Sequence, residues 1–138
     1  MGRGVHCGAQ ARVSLLPAGP DTGIVFVNRG ADGTIRQIPV SPTAIRNTDF
    51  ATVLGDAHGL MCSTVEHLLA AFSGLGVDNA IVEVEGGEVP IFDGSAIAFV
   101  EAIETAGLER QDAARRYIKV LKPIRVTETG AKHICTIA

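Results

Sequence analysis

Cys62-Ser63-Thr64-Val65-Glu66-His67-Leu68-Leu69-Ala70-Ala71-Phe72-Ser73-Gly74-Leu75-Gly76 is the stretch on which the reading of the fold turns. Val65, Leu68, Leu69, Phe72 and Leu75 recur at the helical interval and predict a helix of about three turns with one apolar stripe. Ser63 followed three residues later by Glu66 is the pattern of a capping box, and Gly74 or Gly76 is where the chain leaves the helix. The opposite face carries His67, Ala70, Ala71 and Gly74, with no Lys or Arg, so it is expected to be covered by another domain, another chain or a ligand. Glu66 and His67 are the first candidates for chemistry. The positive end of a helix favours a carboxylate and a neutral imidazole, which suits a base and a metal ligand. The spacing alone leaves two plainer roles open: Glu66 as an arm of the cap, and His67 as a packed or surface residue.

Outward from the helix, short apolar runs bounded by Gly, Pro, Asn and Asp predict strands. They cover residues 11–16, 24–29, 34–40, 80–85, 117–121, 124–126 and a last one beginning at His133, while Ile45 to Leu54 is β-inclined. Gly55 to Gly59 reads as a tight turn containing an exposed His58, and Leu60-Met61-Cys62 as the lead into the helix. A second helix follows Asp93 or Ser95 as cap, buries Ile97, Val100, Ile103 and Ala106, is flanked by Phe99 and ends at Gly107. Strands, helix, strand, helix, strand is an α+β pattern, with two helices packed on one face of a mixed or antiparallel sheet.

Composition narrows the function classes. The chain has 138 residues, enough for one real core. Its 46% hydrophobic content and mean hydropathy of +0.27 predict a well-buried globular domain. A net charge of −3 and 4% aromatics offer neither the basic patch nor the stacking surface of a nucleic-acid binder. No apolar run is long enough for a transmembrane segment and the N-terminus has no signal pattern, so a cytoplasmic protein is expected. Cys7, Cys62 and Cys135 are too sparse for a disulfide framework or zinc ribbon and are expected to be small buried hydrophobes.

Four segments, in order, carry a resemblance. They are Gly4-Val5-His6-Cys7-Gly8 with Asp21-Thr22-Gly23-Ile24-Val25-Phe26; Ser63-Thr64-Val65-Glu66-His67-Leu68; Gly74-Leu75-Gly76-Val77-Asp78-Asn79; and Glu88-Val89-Pro90-Ile91-Phe92-Asp93-Gly94-Ser95. The chain resembles the UDP-3-O-acyl-N-acetylglucosamine deacetylases, zinc amidases of lipid A synthesis in Gram-negative bacteria. The resemblance implies that Glu66 is the general base of the hydrolysis and His67 a ligand of Zn2+. The substrate would be UDP-3-O-acyl-N-acetylglucosamine, losing the acetyl group on its 2-nitrogen. Thr48-Asp49-Phe50-Ala51-Thr52 stands where the family has a segment near the active site, so Phe50 is expected to shape the substrate mouth.

Family enzymes are about twice this long and built from two similar α+β halves with the site between them. On that resemblance residues 1–126 are the first domain without its first strand, and 127–138 the start of the second. The second domain would supply the remaining zinc ligands, a further catalytic histidine and the acyl-chain passage. His6, His58 and His133 do not match those ligand positions. A zinc site needs about three protein ligands, so this chain is expected to be inactive alone. The alternative is a non-catalytic half-domain that pairs with itself or with a separate second half. Either way the uncovered apolar face predicts self-association.

Overall fold

The computed structural model of the chain describes residues 1–29, 33–127 and 134–137. The chain opens with β1 (Gly2–Arg3), β2 (Gln10–Pro17), β3 (Ile24–Arg29) and β4 (Ile35–Pro39). Then come β5 (Ile45–Asn47), β6 (Val53–Asp56), β7 (Gly59–Cys62), helix α1 (Glu66–Leu75), β8 (Ala80–Glu85) and helix α2 (Ile97–Ala106). A hairpin of β9 (Ile124–Thr127) and β10 (Ile134–Ile137) closes the order. Residues 128–133 and 138 lie outside the described residues, and with them His133 and most of the expected 127–138 segment.

The main sheet has the order β1-β2-β8-β3-β4 and is mixed. Strand β8 fills the middle, antiparallel to β2 from Arg12↔Glu85 to Pro17↔Ala80 and parallel to β3 from Ile24↔Ala80 to Asn28↔Val84. Asn79 pins that register. Its Oδ1 accepts the Gly23 N–H at 2.8 Å, and its Nδ2 donates to Gln111 Oε1 at 2.7 Å. Gln111 in turn donates to the Ala18 carbonyl at 2.7 Å. Period-two alternation puts Phe26, Ile38, Val82 and Val84 on one face of the sheet. There they share a core with Leu68 and Phe72 of α1 and Phe99 and Ile103 of α2. Strands β5, β6 and β7 form a second, antiparallel sheet that adds Leu54, Met61 and Cys62 to that core. The α+β architecture is the expected one. Among the described residues no helix is long and apolar enough to cross a membrane.

Several local expectations fail, each for a packing reason. Leu60-Met61-Cys62 is part of β7, pairing with β6, and is not a mere lead into the helix. On α1 the stripe faces the core, but Ala71 is buried with it, while Ala70 and Gly74 are exposed. On α2, Phe99 and Ile103 are buried and Ile97 is 55% exposed, because the large Phe99 ring takes the inward position and meets Phe92 edge-on at 5.2 Å. Ala106 is exposed as well. Residues 117–121 are not a strand: Tyr117, Ile118 and Leu121 stand exposed, and among the described residues no strand gives this segment a ladder of partners. Cys62 is buried as expected, but Cys7 is exposed.

Candidate active site

Helix α1 starts two residues later than its cap pattern implies. Ser63 does not cap it: the Ser63 N–H donates to the Gly87 carbonyl at 3.0 Å, and its carbonyl accepts the Val89 N–H at 3.0 Å. That parallel bridge holds Ser63 against Glu88, so neither group is free to close a local box. The N-cap is Val65, without a side-chain hydrogen bond, and Glu66 is the first helical residue. Thr64, between Ser63 and the N-cap, adopts φ 59°, a left-handed conformation that a β-branched side chain seldom takes. Gly76 ends the helix at φ 70°, where a residue without Cβ is at ease.

Freed from the cap, the Glu66 carboxylate reaches sideways. Its Oε2 accepts the Thr52 N–H at 2.9 Å, and the Thr52 carbonyl accepts the Val65 N–H at 3.4 Å. The main chain of Thr52 therefore brackets the helix start from the loop that carries Phe50. Phe50 stands 95% exposed at φ 59°. Glu66 and His67 are both half-buried and consecutive at the positive end of α1. The structure thus brings Glu66 and His67 together and ties the Phe50 loop to Glu66. Of the other histidines, His58 is exposed in the β6–β7 turn and His6 is exposed in the turn of residues 4–8.

Glu88 is the residue that sequence reading missed. It is 2% exposed, a carboxylate as fully enclosed as the apolar Val65, Val89 and Pro90. Oε1 accepts the His6 N–H at 3.0 Å and the Thr64 hydroxyl at 2.9 Å, and Oε2 accepts the Cys7 N–H at 2.9 Å. Burial pushes the Glu88 carboxyl up, but hydrogen bonds from the Cys7 thiol and N–H, the His6 N–H and the Thr64 hydroxyl outweigh it and bring it down to about 2. Burial first, and then the charge of Glu88, push the neighbouring Cys62 thiol up to about 12. The sequence held one signal for this. A glycine-rich turn at residues 2–8 exposes main-chain N–H groups that need an acceptor, and a lone carboxylate precedes the apolar Val89-Pro90-Ile91.

Asp93 is a turn residue. Its Oδ1 accepts both the N–H and the hydroxyl of Ser95, at 3.0 and 2.8 Å, and the Ser95 N–H holds its carboxyl below the usual range. Ser95 Oγ accepts the Ile97 N–H at 3.2 Å, so the expected cap works from one residue outside the N-cap, Ala96. Among the described residues no three His, Cys, Asp or Glu side chains converge to hold a metal. His67 offers one imidazole with Glu66 beside it, which is the donor set of one corner of a metal site.

Known proteins resemble this chain over nearly its whole length. The family model described as UDP-3-O-acyl N-acetylglycosamine deacetylase matches residues 1–137. A protein named UDP-3-O-acyl-N-acetylglucosamine deacetylase from Phenylobacterium zucineum is 52% identical over 127 residues, 92% of this chain and 43% of that protein. One of the same name from Shewanella oneidensis is 42% identical over 131 residues, 95% of this chain and 42% of that protein. The chain spans about two-fifths of the length of these curated relatives and matches their N-terminal part. With that match running through both glycine-rich turns, the helix start and the buried carboxylate behind it, the chain belongs to the UDP-3-O-acyl N-acetylglycosamine deacetylase family.

Proposed function

We propose that the chain supplies the general base and one zinc ligand of a deacetylase acting on UDP-3-O-acyl-N-acetylglucosamine. The observation that carries this is the Glu66 carboxylate, held by the Thr52 N–H at the positive end of α1 with His67 next to it. The donor set fits one coordination position of zinc, His67, and the remaining two or so come from a second unit outside this chain. Zinc, when bound, supplies Lewis acidity toward the acetyl carbonyl. The work of Glu66 is proton transfer. As water adds to the carbonyl carbon, Glu66 takes its proton; the C–N bond then breaks as that proton passes to the leaving nitrogen, giving acetate and the free 2-amine. One oxygen of Glu66 is engaged by Thr52, which leaves the other for the water. The exposed Phe50 forms part of the wall past which substrate enters. On this reading the chain is inactive by itself.

The test grafts the 127 matched residues into the Phenylobacterium protein in place of its own. The graft is expected to deacetylate the substrate. Glu66→Gln should lower kcat by about 10²–10⁴, the usual worth of a general base. His67→Ala should lower the zinc content. A Glu66→Gln graft with undiminished kcat would refute the base assignment. Stoichiometric zinc on the chain alone would refute the divided site.

A further inference from the structure

The mechanism uses Glu66 and His67 but gives no task to the buried pair behind them. Thr64 and Glu88 are each 2% exposed, and the Thr64 hydroxyl donates to Glu88 Oε1 at 2.9 Å. The main-chain bridge between Ser63 and residues 87 and 89 already holds the two segments side by side, so this side-chain bond is not needed to join them. What it acts on is the conformation of Thr64. A β-branched residue at φ 59° persists only when its surroundings over-determine it. Here a carboxylate fixed by the His6 and Cys7 N–H groups holds the hydroxyl in place. Thr64 is two residues before Glu66, so its left-handed turn sets the direction from which the chain begins α1. Were Thr64 to relax to the extended backbone of β7, the Val65 N–H and the Glu66 carboxylate would both swing off Thr52.

We propose that Glu88 is a positioning residue: through the Thr64 hydroxyl it fixes the left-handed turn that aims the Glu66 carboxylate at the Thr52 N–H. The catalytic consequence rests on the reading of Glu66 as base, and the geometric consequence does not. The experiment therefore reads geometry first, on the whole chain, by amide hydrogen exchange at Thr52 with Leu54 of β6 as internal reference, in Thr64→Ser, Thr64→Val, Thr64→Gly and Glu88→Leu. Valine keeps the β-branched shape and loses the hydroxyl, whereas glycine adopts φ 59° without strain and needs no hydroxyl to hold it. Thr64→Val and Glu88→Leu should each lose about tenfold or more of Thr52 protection relative to Leu54, as when a hydrogen bond to a charged group is lost. Thr64→Ser, which keeps the hydroxyl, and Thr64→Gly, which holds the turn without it, should keep the wild-type value. Wild-type protection at Thr52 in folded Thr64→Val overturns the proposal, as does its loss in Thr64→Gly, and the Thr64 variants alone decide it if Glu88→Leu fails to fold. In the grafted enzyme the same Thr64→Val should lower kcat and leave KM in place, with rescue by Thr64→Ser and Thr64→Gly. Loss of Thr52 protection with kcat unchanged would leave Glu88 as the positioning group and remove Glu66 from catalysis.

Discussion

Replacing Glu88 by Gln tests how much of the stability resides in one buried carboxylate. The carboxyl, 4.5 in its ordinary state, is held at about 2 in the fold. A native state that binds the proton so much less readily than the unfolded chain gains about 3 kcal/mol from the ionised form. Because the folded value is the lower one, this stability is present in full above pH 4.5 and is lost as the pH falls toward about 2. Glutamine has the same shape but only one acceptor. Its oxygen is best kept at the Oε1 position, serving the His6 N–H and the Thr64 hydroxyl, which turns its NH2 group against the Cys7 N–H. Urea unfolding followed by circular dichroism from pH 7 to 2 should therefore show Glu88→Gln less stable by about 3 kcal/mol at pH 7. The two curves should converge near pH 2. A domain of this kind has about 5–15 kcal/mol in total, so the difference is readily measured. Parallel curves across pH 5 to 2 would refute the reasoning, because the carboxylate would then contribute nothing that depends on its charge.

Three further outcomes follow from the same packing. Gly4→Ala would place a Cβ 2.6 Å from Glu88 Cδ and 2.7 Å from Cys7 Sγ, and should cost about 1–3 kcal/mol in urea unfolding; a stable variant would mean that the turn yields freely. Asn79→Ala leaves the Gly23 N–H without its acceptor and should cost about 1–3 kcal/mol, with Asn79→Asp recovering part of it because the acceptor returns. A change below about 0.5 kcal/mol would show that the β3–β8 register needs no such pin. At pH 8 a thiol alkylating reagent should label the exposed Cys7 and spare Cys62 until the chain unfolds, since burial and Glu88 hold that thiol at about 12. Equal labelling rates in a peptide map would contradict the buried placement.

What was legible in the sequence was what depends on near neighbours. The runs 24–29 and 80–85 became β3 and β8 residue for residue, since β-branched side chains between turn signals leave few alternatives. Gly76 and Gly107 ended the helices as their type predicts, at φ 70° and 84°. Glu66 and His67 were legible as candidates because the helix pattern ordered them. The capping box was misread because Ser63 and Thr64 had distant partners, Gly87 and Glu88, that local spacing does not reveal. Glu88 was missed for the same reason: a carboxylate in a Gly- and Pro-rich segment reads as solvated until the N-terminal turn is seen folded around it. On α2 the period was right and the phase wrong, since Ile97 and Phe99 both fit a stripe and only the ring of Phe92 decides between them.

The place of β8 between β2 and β3 has a consequence for how the chain is made. Strands β2 and β3 leave the ribosome early, yet neither pairs with the other, and each must wait for a strand that lies beyond α1. At synthesis rates of roughly 5–20 residues per second, that wait lasts several seconds, while the β3–β4 hairpin can close in about 1–10 μs. A nascent chain therefore holds a vacant slot with two unsatisfied rims, and any extended segment of another nascent chain can enter it. Arrival of β8 seals both rims in one event, which makes residues 80–85 the point in translation after which this protein stops being a hazard to its neighbours.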